Sequence, residues 1–263
     1  ILTRGYRGDQ ANGMPADEVA LFRERLGGNV QLGIGKNRYE SGRILERHGA
    51  KWFILDDGFQ HLALERDANI VLLDGKNPFV GGMLLPAGRL REPLDALRRA
   101  DVVVITRSDR APAVESILRK HSEAPVFYAQ TELENVLRAP QLAVELPIRD
   151  WPAARVFAFC GIGNPRSFFE DLCTWRFQVL GERSFRDHHR YSPAELESLE
   201  AAARKVGADA LICTEKDVFN LPPGKVGSFP VYACRIRMGL SNPAEFWKAV
   251  QSAIERHEKV KQS

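Results

Sequence analysis

The sequence predicts an α/β fold with a doubly wound, mostly parallel sheet. Short β-branched runs recur along the chain, and each is followed by turn residues and then by a helical pattern. The runs lie at residues 51–58, 68–75, 100–109, 155–165 and 208–217. Most of them are continuously apolar, as expected of strands buried on both faces of a parallel sheet. The alternation of strand and helix is typical of a doubly wound fold.

Helical patterns fill the intervals between these runs. They lie at residues 17–26, 41–48, 167–173 and 193–205. Asn164 and Ser192 each stand directly before a proline, which places a capping residue ahead of a proline at a first helical position. These two dipeptides predict where two of the helices start.

A change in composition predicts two lobes. Residues 129–151 are rich in proline, leucine and acidic residues with weak periodicity, and we predict a linker there. Residues 1–128 would then form the first α/β domain, and residues 152–263 would form a second, smaller α/β lobe.

The bulk composition excludes several classes of protein. The 263 residues are 44% hydrophobic and 27% charged, as is ordinary for a globular protein. A net charge of +3 is too small to argue for a nucleic-acid partner. The four cysteines stand at irregular spacings that suggest neither a zinc site nor a disulfide framework. Without an apolar run of about 18 residues or an export signal, a cytoplasmic location is expected.

Two adjacent carboxylates, Asp56 and Asp57, follow a strand predicted at residues 52–55. Ligands of open α/β sheets gather beyond the carboxyl ends of strands. Mg²⁺ prefers hard oxygen ligands, so the pair suits a magnesium site in a phosphoryl-transfer enzyme. A turn that only ends the strand explains the motif in isolation equally well. The polar Gln60 and His61 that come next favour the functional interpretation.

Two arginines, Arg89 and Arg91, stand in the Pro- and Gly-containing stretch LLPAGRLREP at 84–93. Guanidinium groups give phosphate bidentate, charge-assisted hydrogen bonds. By composition alone, solvated surface arginines remain the favoured interpretation. The stretch GIGKNR at 33–38 is a weak signal, because it lacks the third glycine of a dinucleotide fingerprint and does not match a P-loop.

Three short polar groups complete the candidates. The adjacent Asp187, His188 and His189 could orient an imidazole for proton transfer or bind a metal, although no Cys or further His stands at ligand spacing. Asp17 and Glu18 begin a helical pattern, where capping explains them adequately. The stretches TRSD at 106–109 and TEKD at 214–217 could be base-reading turns, but polar turns that end strands are the favoured interpretation.

Eight motifs occur in the order in which the tetraacyldisaccharide 4′-kinases of lipid A biosynthesis carry them. They are ILTRGYRG, PADE, DDGFQH, LLPAGRLREPL, VITRSD, FCGIGNP, FRDHHRY and TEKD. The chain therefore resembles this family over roughly its whole length, and the combination of DDGFQH with LPAGxLREP looks specific to it. The resemblance implies a P-loop-NTPase-like fold and transfer of the ATP γ-phosphate, with Mg²⁺, to the 4′-hydroxyl of a tetraacyldisaccharide 1-phosphate. It also implies action at the cytoplasmic face of the inner membrane. We further expect a monomer.

Carried over residue by residue, the resemblance implies roles for the motif residues. Asp17 would be the general base, assisted by His188. Asp56 and Asp57 would contact Mg²⁺ and its water. Substrate or phosphate contacts would come from Glu18, Arg38, Gln60, His61, Arg89 and Arg91. Many members of the family carry another residue at the position of Arg89.

One part of the family's machinery does not occur in residues 1–263, namely the GxxxxGK[ST] loop that cradles the ATP phosphates. The family carries this loop upstream of the segment matching ILTRGYRG, and the chain begins there with Ile1 rather than Met. We therefore expect an N-terminally truncated fragment with impaired activity. The alternatives are a degenerate, non-catalytic lipid- or nucleotide-binding protein and a GTPase-like metallochaperone, which would leave LPAGRLREP unexplained.

Overall fold

The computed structural model describes most of the chain, in several stretches. These are residues 1–3, 17–79, 81–88, 90–142, 145–146, 155–222 and 229–262. The chain divides into two compact units. The first comprises Ile1–Trp52 and Leu133–Arg237, and the second comprises Phe53–Glu132 and Met238–Ser263.

The elements follow one another with strands and helices in alternation over much of the chain. In order they are β1 (Leu2–Thr3), α1 (Asp17–Leu26), β2 (Gly33–Ile34), α2 (Arg38–Arg47), β3 (Ile70–Asp74), β4 (Val102–Thr106), α3 (Pro112–Leu118), β5 (Val126–Arg138), β6 (Glu145–Leu146), β7 (Arg155–Cys160), α4 (Pro165–Thr174), β8 (Gln178–Ser184), α5 (Pro193–Lys205), β9 (Ala210–Thr214), α6 (Glu215–Val218), β10 (Val231–Leu240) and α7 (Pro243–Gln262). Short 3₁₀ helices occupy Gly27–Asn29 and Leu94–Arg99.

Parallel pairing dominates the first unit. β9 lies between β10 and β7 and pairs in parallel with both, and β7 pairs in parallel with β8 on its other side. The last part of β5 pairs antiparallel with β6, with Val136 opposite Leu146. The short strands β1 and β2 form a separate parallel pair.

Both faces of the central strands β7 and β9 in the first unit are covered. Successive side chains of a strand point to opposite faces, so Leu211 and Ile212 of β9 enter different apolar clusters. Leu199 of α5 packs in the first cluster, and Leu172 of α4 packs in the second. Because a parallel sheet with helices on both faces is the arrangement predicted from the apolar runs, the predicted α/β fold class is confirmed.

The second unit repeats this organisation around β3, β4 and the first part of β5, which pair in parallel. One face of these strands packs against α3, where Leu118 is fully buried. The other face packs against α7, where Phe246 meets Phe127 edge to face at 5.5 Å between ring centroids. None of the helices in the described part of the chain combines the length and apolar character needed to cross a bilayer.

Most of the predicted elements are confirmed, and one is wrong. The helices predicted at 17–26 and 193–205 have the bounds of α1 and α5. The strand predicted at 52–55 does not form, because residues 51–54 have no regular secondary structure and Leu55 makes only an isolated bridge. Trp52 and Ile54 are 77% and 68% exposed. An apolar run becomes a strand only where neighbouring strands pair with its backbone, and periodicity alone does not reveal such neighbours.

β5 also runs into the segment that was predicted to be a linker. Its residues 129–138 are the first part of the predicted linker at 129–151. The division of the chain into domains at 1–128 and 152–263 stays a prediction.

Candidate active site

Asp17 is a nearly buried carboxylate at the first residue of α1, where only 5% of the residue is exposed. Its Oδ1 accepts a hydrogen bond from the backbone N–H of Glu18 at 2.9 Å. Its Oδ2 accepts one from Nδ2 of Asn220 at 3.0 Å. The start of a helix favours a negative charge, so helix geometry and these two donors together hold the carboxylate in one orientation.

His188 reaches Asp17 from a loop between β8 and α5. Its Nδ1 lies 2.9 Å from each carboxylate oxygen of Asp17. Since an ionised carboxylate can only accept, we assign the proton to Nδ1 as donor. His188 has a backbone φ of +56°, which is uncommon for a residue other than glycine, and its N–H donates to the carbonyl of Gly161 at 3.0 Å. The loop backbone therefore aims the imidazole at Asp17.

The ammonium group of Lys216 lies among three carboxylates in the same unit. Its Nζ is 3.4 Å from Oε1 of Glu18, 3.6 Å from Oδ1 of Asp187 and 3.8 Å from Oδ2 of Asp17. Nε2 of His188 lies 3.7 Å from the other oxygen of Asp187. This group of side chains places a proton-accepting pair beside a fixed positive charge, which is the chemistry that activation of a hydroxyl group requires.

The structure therefore brings Asp17 and His188, which were predicted to act together, into hydrogen-bonding contact. Glu18 lies beside this pair. Lys216 was missed because TEKD at 214–217 was interpreted as a turn that ends a strand, and Asn220, which lies beyond that stretch, was not among the candidates. The position of Lys216 directly after the buried strand β9 was the available signal, since ligand sites of parallel sheets lie at the carboxyl ends of strands. Arg38 lies in the same unit at the first residue of α2 and is buried.

The remaining candidates belong to the second unit. Asp56 and Asp57 lie in a turn, and Asp57 has a φ of +48°. Oδ2 of Asp57 is 4.0 Å from Nη1 of Arg91, and both side chains are largely exposed. Gln60 and His61 follow in the next turn, where the N–H of His61 donates to the carbonyl of Gly58 at 2.9 Å. Arg89 lies outside the described residues.

Within the described ranges, no group of three or more His, Cys, Asp and Glu side chains is arranged to hold a metal ion. Mg²⁺ is commonly bound by only one or two carboxylates together with substrate phosphates and water. The half-buried Asp56 and the exposed Asp57 fit this donor set, and Arg91 supplies a neighbouring positive charge for a phosphate.

Comparisons with known proteins identify the family of this chain. The family model for tetraacyldisaccharide-1-P 4′-kinase matches residues 1–255. A tetraacyldisaccharide 4′-kinase from Halothermothrix orenii is 35% identical over 260 residues, which cover 87% of this chain and 67% of that protein. The same kinase from Geobacter metallireducens is 40% identical over 226 residues, which cover 85% of this chain and 64% of that protein.

A solved structure, LpxK from Aquifex aeolicus in complex with ATP, has a TM-score of 0.59 and 29% sequence identity. The likeness covers 85% of this chain and 65% of that one. The chain thus spans about two thirds of the length of the relatives it matches. The match over residues 1–255, together with the identity to these relatives, shows that the chain belongs to the tetraacyldisaccharide-1-P 4′-kinase family.

Proposed function

We propose that the protein transfers the γ-phosphate of ATP to the 4′-hydroxyl of a tetraacyldisaccharide 1-phosphate, a precursor of lipid A. The observation that carries the proposal is the contact of Asp17 with His188 and Lys216 in a member of this kinase family. Phosphoryl transfer depends mainly on an oriented hydroxyl group and on positive charge around the transferring phosphoryl group.

Asp17 acts as the general base in this proposal. It accepts the proton of the 4′-hydroxyl while the new bond from oxygen to the γ-phosphorus forms and the bond to the ADP oxygen breaks. The imidazole of His188, hydrogen-bonded to both carboxylate oxygens, keeps Asp17 oriented and stabilises its charge. Lys216 adds a positive charge next to the same carboxylate, where it offsets negative charge that develops on the reacting oxygens.

Asp56 and Asp57 would hold Mg²⁺, which when bound neutralises phosphate charge and orients the triphosphate. The side chains that would meet substrate or phosphate are Glu18, Arg38, Gln60, His61, Arg89 and Arg91. Bidentate hydrogen bonding suits the arginines to this role.

A tetraacylated substrate also implies where the protein acts. Its acyl chains partition into a bilayer, so the reacting sugar lies at a membrane surface. We propose that the protein works as a monomer that binds peripherally at the cytoplasmic face of the inner membrane. The basic balance of 37 Lys and Arg over 34 Asp and Glu is compatible with an anionic lipid surface.

The test is a kinase assay on the protein expressed from its complete coding sequence, with ATP, Mg²⁺ and the tetraacyldisaccharide 1-phosphate. Asp17→Asn keeps the shape of the side chain but removes its basicity, and we expect kcat to fall about 10²–10⁴-fold. Asp209→Asn is the matched control, because Asp209 forms an exposed ion pair with Arg155 at 2.7 Å. Its kcat should equal that of the wild type.

Two results would contradict the proposal in different ways. An Asp17→Asn variant with nearly normal kcat would remove Asp17 from the role of base and leave the kinase assignment standing. Wild-type protein that binds the lipid and does not phosphorylate it would favour a non-catalytic lipid-binding module.

A further inference from the structure

Thr214 ends β9 and caps α6, and the Thr214–Asp217 turn at this junction makes contacts on several sides within the first unit. Thr214 and Asp217 form a capping box: Oδ2 of Asp217 accepts from the Thr214 N–H at 3.2 Å, and Oγ1 of Thr214 accepts from the Asp217 N–H at 3.3 Å. This reciprocal pair closes the turn and fixes the directions of the two side chains between them. Glu215 and Lys216 therefore project from a rigid base.

Glu215 is a buried carboxylate held between two guanidinium groups. Its Oε2 accepts from Nε of Arg25 at 3.0 Å and lies 2.9 Å from Nη2 of the same side chain. Its Oε1 accepts from Nε of Arg235 at 3.0 Å and lies 2.9 Å from Nη2 of that side chain. Two contacts from one planar guanidinium group fix the orientation of the arginine relative to the carboxylate as well as the distance between them.

Arg25 lies in the last turn of α1, while Asp17 is the first residue of that helix. Arg25 lies eight positions after Asp17, which corresponds to about 12 Å along the helix axis. Lys216 contacts the first turn through Asp17 and Glu18, and Glu215 holds the last turn through Arg25. Contacts at both ends of a rigid helix fix its position and its direction together.

Asp217 connects the same turn to the loop that carries His188. Its Oδ1 accepts from the backbone N–H of Gly161 at 2.8 Å and from the hydroxyl group of Tyr191 at 2.7 Å. The carbonyl of Gly161 in turn accepts from the N–H of His188 at 3.0 Å. Asp217 thus anchors the loop on both sides of the imidazole.

We propose that the Thr214–Asp217 turn is a positioning element, which brings Asp17 and His188 into contact by fixing α1 through Glu215 and the His188 loop through Asp217. This proposal rests on the proposed function, because the contact matters for catalysis only if Asp17 and His188 take part in the reaction. The burial of the two carboxylates argues against a base-reading role for the turn. Only 4% of Glu215 and 1% of Asp217 are exposed, and their oxygens already accept from protein donors.

The first test measures the contact itself by NMR on the 263-residue chain with ¹⁵N-labelled histidine. The Nδ1–H resonance of His188 is assigned by its loss in His188→Gln. In Glu215→Gln, where an amide replaces the carboxylate between the two guanidinium groups, we expect this resonance to disappear or broaden. Glu134→Gln is the matched control, because Glu134 is also a partner of Arg25, at 2.8 Å, but is more exposed. The resonance should persist in the control.

An unchanged His188 resonance in a folded Glu215→Gln variant would overturn the proposal. If that variant does not fold, the His188 resonance is measured in Arg25→Lys instead, because lysine keeps the charge and loses the two-point contact with Glu215. Loss of the resonance in a folded Arg25→Lys variant supports the positioning role, and its persistence refutes it.

The second test is kinetic and uses the protein from its complete coding sequence. A displacement of about 1 Å at a reacting group can cost about 10²-fold in rate. We therefore expect Glu215→Gln to lower kcat about 10–100-fold, with the KM for ATP and for the lipid within about 2-fold of the wild type. A rise in KM with unchanged kcat would instead place Glu215 in substrate binding and overturn the proposal. If the wild type lacks kinase activity, the proposed function fails, while the NMR result still decides whether the turn positions the pair.

Discussion

Replacing Asp217 with alanine should destabilise the first unit strongly, because it removes an acceptor that several buried donors share. The carboxylate accepts from the N–H of Gly161 at 2.8 Å, from the hydroxyl group of Tyr191 at 2.7 Å and from the hydroxyl group of Thr214 at 2.5 Å. Gly161 and Tyr191 are buried, so water cannot replace the missing acceptor without a rearrangement.

The expected magnitude follows from the donors left without a partner. Each buried donor that loses its hydrogen bond costs about 1–3 kcal/mol, so Gly161 and Tyr191 together account for about 2–6 kcal/mol. The variant also avoids burying a carboxylate, which offsets part of this cost. We therefore expect the free energy of unfolding to fall by about 2–4 kcal/mol. For a chain of this size that corresponds to a fall in Tm of about 4–16 °C.

The assay is thermal and urea unfolding of the wild type, Asp217→Ala and Asp209→Ala, followed by circular dichroism. Asp209→Ala removes an exposed ion pair with Arg155, for which we expect at most about 1 kcal/mol. If Asp217→Ala is no less stable than this control, the buried hydrogen bonds of Asp217 contribute little and the reasoning is refuted.

Two further predictions concern groups whose pKa values burial raises. Burial raises the pKa of the Asp217 carboxyl above its usual 3.8, so the folded state binds this proton more tightly than the unfolded state. Between pH 3.8 and the raised pKa of Asp217 in the folded state, lowering the pH should therefore increase the free energy of unfolding of the wild type relative to that of Asp217→Asn. Urea unfolding at several pH values measures this difference. Burial raises the pKa of the Cys160 thiol to about 12 and also raises the pKa values of Cys213 and Cys234, whereas Cys173 is exposed. A thiol-specific disulfide reagent at neutral pH should thus titrate Cys173 alone in the folded protein and all four thiols in urea, and rapid native reaction of a second thiol would contradict this.

Much of the fold follows from local sequence patterns. The apolar runs that contain β7 and β9 predicted strands buried on both faces, and helices from both sides cover them. Ser192 before Pro193 predicted the start of α5, and Ser192 there forms a capping box with Glu195. Capping and burial on both faces depend on residues close in sequence, so a single chain is enough to predict them.

The run at residues 52–55 shows where local patterns fail. Its residues are as apolar as those of β7, yet it forms no strand, and Trp52 is largely exposed. Strand formation depends on partners elsewhere in the chain, which hydrophobicity along one segment does not specify. The same reason explains why TEKD was interpreted as a simple turn, since its partners at Asp17, Arg25 and Gly161 are remote in sequence.

The sequence by itself determined the fold class, several of the strands and helices, and the residue types available for proton transfer and phosphate binding. Only the tertiary structure decided which of them meet. Asp17 and His188 stand 171 residues apart, and Asn220 lies 203 residues from Asp17. Hydrogen bonds act over about 3 Å, so such contacts exist only once the sheet and its helices have brought the chain segments together.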